Sequence, residues 1–462
     1  MSGDKPGFDA IAEREKGLHR GLTTGQLSMI AIGGAIGTGL FLGSGAAIGF
    51  AGPAVLVSYA VGAVIALLLM GCLAEMTVAH PTSGSFGAWA EFYVGPLAGF
   101  LVRYAYWSCL VLGVGTEVTA IAVYMRYWYP AVPGWVWILV FAAVLVGVNA
   151  FNVELFGSVE YVFSALKIFA IVVFILLGAR MVLGGIGLGN LTSHGGFAPK
   201  GAWGVWVASL VAIFSYFSIE MIAVAAGEAK DPQRAIRKAF RATMVRLAFF
   251  YLASVALIVA IVPWTEANSG QSPFVRVMAG TGLPGAAGVV NFVILIAALS
   301  AMNSQLYITT RMMFSLSRAG YAARRFGVLN ARGIPMAALM VSTVGIAVAA
   351  GIFVLYPESA FLMMMAISMF GALFTWLMIF VTHIFFRRAH GDSALSFRMW
   401  GYPWLTVTGA ASIVALLVTT AFTREFRMTL AYGLPFLAVL TVVFMVRGRR
   451  SEGALVNGAA KS

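Results

Sequence analysis

The sequence predicts an all-α integral membrane protein of twelve transmembrane helices, and three observations predict it. Of 462 residues, 61% are hydrophobic and 10% charged, with a mean hydropathy of +0.92, against about 45–50% apolar and about 25% charged in soluble domains. Apolar runs of about 20 residues, the length that crosses a hydrocarbon core about 30 Å thick, recur along the chain. Lysine and arginine gather in alternate breaks between those runs, the asymmetry that orients membrane proteins. A soluble chain this apolar would expose large aggregating patches. The net charge of +13 therefore speaks for orientation and not for nucleic acid. No basic stripe is interleaved with exposed aromatics, and no nucleic-acid partner is expected.

Residues 1–26 are polar and mixed in charge, with Asp4, Lys5, Glu13, Arg14, Glu15, Lys16 and Arg20. No apolar core precedes a small-residue cleavage site, so this reads as a cytoplasmic tail and not a signal peptide. The membrane domain spans 27–447. Its segments begin near Leu27, Pro53, Leu97, Trp135, Ser158, Trp203, Arg241, Gly285, Met336, Ala360, Pro403 and Met428. The third, Leu97 to Trp128, is long enough to be tilted. The last ends near Val446, and 448–462 form a second cytoplasmic tail. The breaks Gly184 to Ala202 and Pro263 to Leu283 read as glycine-rich external loops.

The N-terminal tail and the even-numbered breaks hold Arg14, Lys16 and Arg20, then Lys230, Arg234, Arg237 and Lys238, then Arg318, Arg324, Arg325 and Arg332. Arg387, Arg388 and Arg398 follow, and Arg447, Arg449 and Arg450 close the series. The opposite breaks hold chiefly Arg126, Lys200, Arg276, Arg424 and Arg427. Both termini are thus placed in the cytoplasm, as an even number of crossings also requires. Trp128, Tyr129, Trp135 and Trp264 fall at segment ends, where interfacial aromatics belong. No direct repeat is evident, and no segment outside the bundle could form a soluble domain. Cys72 and Cys109 lie in apolar runs with no CxxC and no neighbouring histidine, so neither a disulfide nor a zinc site is expected. His19, His80, His194, His383 and His390 are dispersed and form no ligand pair. No metal is expected, and no activated nucleophile or catalytic pair is present, so the chain does not read as an enzyme.

The chemistry concentrates inside the spans. The first contains Gly33-Gly34-Ala35-Ile36-Gly37-Thr38-Gly39, followed by Leu40 to Gly43. Each glycine weakens a helix by about 1 kcal/mol relative to alanine. A cluster this dense invites an unwound stretch, tolerated at mid-membrane only where it lines a cavity or is buried in protein. A second half-helix starting near Thr38 would offer free N–H groups to a carboxylate. Equally, Gly33/Gly37 and Gly39/Gly43 have GxxxG spacing and suit close helix packing. Lys167 stands about nine residues into an apolar span, about 13 Å along a helix axis and near the middle of the hydrocarbon. Placing it there costs at least about 2.5 kcal/mol, so it needs a partner or a purpose. Burial favours the neutral amine and lets such a lysine gain and lose protons near neutral pH. Glu117 and Glu220 are further intramembrane charges able to carry a proton, or to stand as hydrogen-bonded structural carboxyls. Glu75 and Glu228 lie nearer the cytoplasmic face.

The run Gly33 to Gly43 resembles the first-span signature of the amino acid transporter family of the amino acid–polyamine–organocation superfamily. Further matches follow in order: Glu75-Met76 with Pro81, Gly84, Ser85 and Phe86; Tyr106-Trp107 and Glu117; Lys167; Glu220, Ala226-Gly227-Glu228-Ala229 and Asp231-Pro232; Pro263-Trp264 and Ser272-Pro273-Phe274; Ser300, Asn303-Ser304 and Arg311-Met312. The set covers nearly the whole chain. The resemblance implies two inverted five-helix repeats plus two further helices, with substrate at broken helices 1 and 6. Substrate-binding residues are then Ala35, Ile36, Gly37, Thr38 and Gly39 with Phe214, Ser215, Phe217 and Ser218. Phe214 to Glu220 contains neither glycine nor proline, where many members of the family carry glycine near Phe217 or Ser218. A bulky Phe217 argues for a smaller substrate. In sodium-coupled relatives of the fold a cation sits where the Lys167 ammonium would lie, so the resemblance implies that Lys167 couples transport to protons, with Glu220 and Glu117 as further proton-coupling candidates. The alternative is a structural lysine on the carbonyls of the unwound helix.

The expected function is proton-coupled uptake of an amino acid, with the proton as coupling ion and no other cofactor. An exchanger or facilitator of the same fold is the alternative, and a membrane nutrient sensor a more distant one. The expected partners are the amino acid and the lipid bilayer, without an obligatory protein partner. The expected location is a cell membrane, the inner membrane of a bacterium.

Overall fold

The structure, a computed structural model, describes residues 8, 11, 35–82, 84–151, 153–226, 248–267, 271–390, 395 and 397–459; for 151, 153–157 and 447–459 it describes the backbone alone. Several residues read from the sequence lie outside that set. They are most of the N-terminal tail with His19, the first-span start at Leu27, Gly33 and Gly34, the stretch from Gly227 through Glu228, Asp231 and Pro232 to Arg241, and the last three residues.

Among the described residues the regular structure is helical, and nine helices are long and apolar enough to cross a membrane. The first span is interrupted. Ala35 is helical and Ile36 and Gly37 are not, after which α1 (Thr38–Phe41) and α2 (Gly43–Ala51) carry it on. Gly52 turns the chain with φ 65°, and Pro53 opens the turn leading into α3 (Val55–Ala79); proline's fixed φ and missing N–H suit a helix start. A short α4 (Ser85–Trp89) and a wider helical turn end at Gly95. Pro96 then begins α5 (Pro96–Met125). Next come α6 (Gly134–Phe151), α7 (Val153–Met181) and α8 (Gly201–Tyr216), which stops four residues before α9 (Met221–Ala225). The rest are α10 (Ala248–Ile261), α11 (Pro273–Ala279), α12 (Ala286–Arg318), α13 (Met336–Ser342), α14 (Val344–Leu355), α15 (Ala360–His390), α16 (Trp404–Phe422) and α17 (Arg427–Ala459).

Two stretches differ from the sequence reading. The break after Pro263 is not all external loop, because α11 buries Phe274, Val275, Val277 and Met278. Ser272-Pro273 supplies its start, and one apolar face holds it against the bundle. The final helix passes Val446 and runs through to Ala459, no proline following Pro435 to stop it.

Helices α5 and α8 are buried along nearly their whole apolar length, whereas α7, α16 and α17 present an apolar face outward. On α7 that face is Val162, Phe169 and Leu176, spaced seven apart and 61–65% exposed. The opposite face carries Glu160, Ser164, Lys167, Ile171 and Phe174, all buried. The helix is therefore amphipathic in the reverse sense, polar toward the protein and apolar toward lipid. Close approach to α5 depends on two glycines. A Cβ on Gly345 of α14 would run into the Val111 carbonyl, and one on Gly371 of α15 into the Ala105 carbonyl.

Candidate functional site

Two helix interruptions face each other near the middle of the bundle. In the first span the earliest hydrogen bond of the resumed helix runs from the Phe41 N–H to the Gly37 carbonyl. The amides of Thr38, Gly39 and Leu40 precede it, in the turn whose N–H groups have no helical acceptor. In the sixth span Phe217 is extended, and Ser218 adopts φ 77°, a left-handed conformation uncommon for a residue with a side chain. The Ser218 N–H donates to the Glu220 carboxyl at 3.1 Å, so a side chain two residues on helps to fix the turn. The two breaks touch: a Cβ on Gly39 would lie 2.9 Å from the Ser215 Cα and 3.1 Å from the Phe214 ring. The Tyr251 hydroxyl of α10 sits between the Ala35 carbonyl at 2.7 Å and the Ser215 carbonyl at 2.8 Å, joining both breaks. Ser215 is also held through its hydroxyl, which lies 3.2 Å from the Tyr59 hydroxyl.

Lys167 is tied to the first break. Its ammonium donates to the Ile36 carbonyl at 3.2 Å and to the Ser300 hydroxyl of α12 at 2.8 Å. Two carboxyls act on it electrostatically, Glu160 and Glu117. Glu117 of α5 faces the backbone and hydroxyl of Thr38, and its Oε1 lies 2.9 Å from where a Gly37 Cβ would stand. Among the described residues its Oε2 is buried without a hydrogen-bond partner.

Glu220 belongs to a different cluster. It accepts from the Tyr106 hydroxyl at 2.9 Å and the Trp376 indole N–H at 3.0 Å, in addition to Ser218. Phe217 packs edge-on against Trp376 at 5.0 Å and against Phe214 at 5.7 Å. Together Gly39, Glu117, Phe214, Phe217, Ser218 and Glu220 line a central cavity of about 30 Å³, with Cys109, Leu110, Gly113, Gln305 and Ser368 opposite. The Gln305 Oε1 is buried there without a hydrogen-bond partner among the described residues. A larger cavity of about 350 Å³ lies beyond it, where α5 ends and α6 and α15 begin, with the exposed Arg126–Glu358 pair, 3.3 Å apart, in its wall. Ser272, just ahead of α11, donates to the Phe41 carbonyl at 2.6 Å, and Phe274 packs on Phe41.

The structure thus brings Ala35 to Gly39, Phe214, Ser215, Phe217 and Ser218 to one place, sets Lys167 and Glu117 beside it, and puts Glu220 on its far wall. Sequence reasoning missed Glu160, Tyr251, Trp376, Ser300's role as a lysine partner and Gln305. The buried stripe at helical spacing on α7 is the signal that could have found Glu160. Two further clusters lie away from this site. Glu75 is fully buried and pairs with His383 at 3.0 Å and Arg387 at 2.9 Å, and His80 and His390 stack in an aromatic cluster with Tyr93 and Phe386. Cys72 and Cys109 are free, buried thiols.

Compared with known sequences, the chain matches the family described as amino acid permease over residues 26–449. It is 36% identical over 454 residues to the amino acid permease YtnA of Bacillus subtilis strain 168, covering 96% of this chain and 98% of that one. It is 36% identical to the gamma-aminobutyric acid permease of the same organism, covering 96% and 97%. It is 37% identical to the aromatic amino acid transport protein AroP of Escherichia coli O6:H1, covering 87% and 91%.

Proposed function

The chain belongs to the amino acid permease family, within the amino acid–polyamine–organocation superfamily, and on that premise we propose that it takes up a small neutral amino acid together with a proton. It is a multi-pass membrane transporter and not an enzyme. The substrate carboxylate binds the freed amides at Gly39 and Leu40, where glycine lets a ligand reach the backbone. Glu117 Oε2 and Gln305 Oε1, buried without partners among the described residues, accept hydrogen bonds from the substrate ammonium, since buried polar atoms are rarely left unpaired. Relatives named for γ-aminobutyrate and for aromatic amino acids show how wide the family's range is. The Phe214 and Phe217 rings that line the central cavity favour the small end of that range.

The architecture behind this reading has twelve crossings. The long helices supply most of them, α6 and α10 add two shorter ones, and the turn at Gly52 divides α2 from α3. The interruptions in spans one and six support an inverted five-plus-five repeat with two added helices. Basic residues place both termini in the cytoplasm of a cell membrane. The α4, α6–α7 and α12–α13 junctions then face the cytoplasm, and the 350 Å³ cavity faces outward.

The observation that carries the proposal is the 3.2 Å bond from Lys167 to the Ile36 carbonyl. It puts a titratable amine on the backbone of the substrate-binding break, so protonation and the shape of the site are linked. The test is uptake of 14C-labelled amino acids into substrate-free proteoliposomes under an imposed pH gradient. The wild type accumulates substrate, and Lys167→Ala lowers the gradient-driven rate by about a hundredfold, the scale of a lost proton-transfer group. Equal accumulation by Lys167→Ala would refute the coupling role. Uptake that needs internal substrate would make the protein an exchanger.

A further inference from the structure

Glu160 is a fully buried carboxyl on a membrane helix, and neither substrate binding nor the Lys167–Ile36 contact uses it. It lies seven residues before Lys167 on α7, two helical turns or about 10 Å along the axis, on the cytoplasmic side by the orientation above. The space between the two groups is bridged. Lys167 Nζ donates to the Ser300 hydroxyl at 2.8 Å, and that hydroxyl donates to Glu160 Oε1 at 2.6 Å. Ser164, one turn along from Glu160, donates to the same oxygen at 3.2 Å. The other oxygen, Oε2, is buried and makes no hydrogen bond among the described residues. A carboxylate with one unpaired oxygen in the protein interior is costly unless it has a use.

From this geometry we infer that Glu160 is a second station for the coupling proton, receiving it from Lys167 through Ser300 and releasing it toward the cytoplasm. This rests on the proton-coupled reading of Lys167. In the transfer the Lys167 ammonium gives one N–H proton to the Ser300 oxygen while the Ser300 O–H proton passes to Glu160. The products are a neutral amine, an unchanged serine and a neutral carboxylic acid. The local charge stays the same, so the step adds no uncompensated charge to the interior. When the cytoplasmic side opens, water takes the proton from Glu160, and Lys167 is recharged from the outer side. Among the described residues few titratable groups act on this pair. Lys167 faces Glu160 along α7, and Glu117 on α5 faces Lys167 from the substrate side. From α12, Glu160 is met by the hydroxyls of Ser300 and Ser304.

The route requires both the carboxyl and the serine, so Glu160→Gln and Ser300→Ala test it together. In proteoliposomes, counterflow exchanges labelled for unlabelled amino acid without net proton movement, whereas uptake under an imposed pH gradient needs a proton delivered each cycle. With a 14C-labelled mixture of the common amino acids and γ-aminobutyrate as probe, Glu160→Gln raises the ratio of counterflow to gradient-driven uptake by about a hundredfold. Ser300→Ala raises it in the same sense, by about tenfold if water partly replaces the hydroxyl. A wild-type ratio in both variants would overturn the inference while leaving Lys167 coupling intact. Equal loss of both activities would also overturn it, since that is the mark of a merely structural carboxyl. Absence of gradient-driven uptake in the wild type would instead refute the proton reading on which it rests.

Discussion

On the proposed reading, Phe217 sets how large a side chain the central cavity admits. Its ring is nearly buried and wedged between Phe214 and Trp376. Phe217→Ala opens that space, and uptake of aromatic relative to small amino acids rises about tenfold, since apolar size discrimination is worth about 1–3 kcal/mol. Competition of unlabelled amino acids against labelled uptake measures it, and an unchanged profile would move specificity elsewhere. At this scale the sequence spoke unevenly. Lys167 stood out because a mid-span lysine has nowhere to send its charge. Glu160 did not, since it sits close to the start of its helix and only the spacing 160, 164, 167, 171, 174 marks its face. The contacts that fix Glu220 gave no sign at all. Tyr106 and Trp376 are 114 and 156 residues away along the chain, and only the fold introduces them.

The two interrupted helices show why one break is readable and the other is not. Gly37 and Gly39 announce the first by composition, and close packing, one of the two readings of those glycines, holds there: Glu117 and Ala301 crowd Gly37 while Ser215 and Phe214 crowd Gly39. The second break has no glycine. Ser218 takes the left-handed conformation instead, and the Glu220 carboxyl accepts its N–H, so the turn is made by a tertiary arrangement that local pattern does not carry. Gly37→Ala tests the first break. The new Cβ would stand 2.9 Å from Glu117 Oε1 and 3.0 Å from the Ala301 Cβ, an overpacking that costs about 1–3 kcal/mol and cuts uptake by about tenfold or more. Gly43→Ala is the comparison: its nearest neighbour is the end of the Val211 side chain at 3.3 Å, and it should lower uptake and melting temperature much less.

Across the whole molecule, the long apolar helices follow from hydropathy, which is additive along a chain. The buried α11 does not, because seven residues inside a polar stretch look like loop until Phe274 is seen against Phe41 and Phe174. Nor does the placement of cavities, which depends on how α5, α12 and α15 pack. In the proposed mechanism, an amino acid held at the break of the first span moves only with a proton held on Lys167. The most direct test is to load proteoliposomes with a pH-sensitive dye, impose no gradient, clamp the membrane potential at zero and add amino acid outside. The account predicts that the lumen acidifies as labelled substrate enters, and that Lys167→Ala abolishes the acidification. Substrate entry at the wild-type rate with a steady internal pH would contradict it.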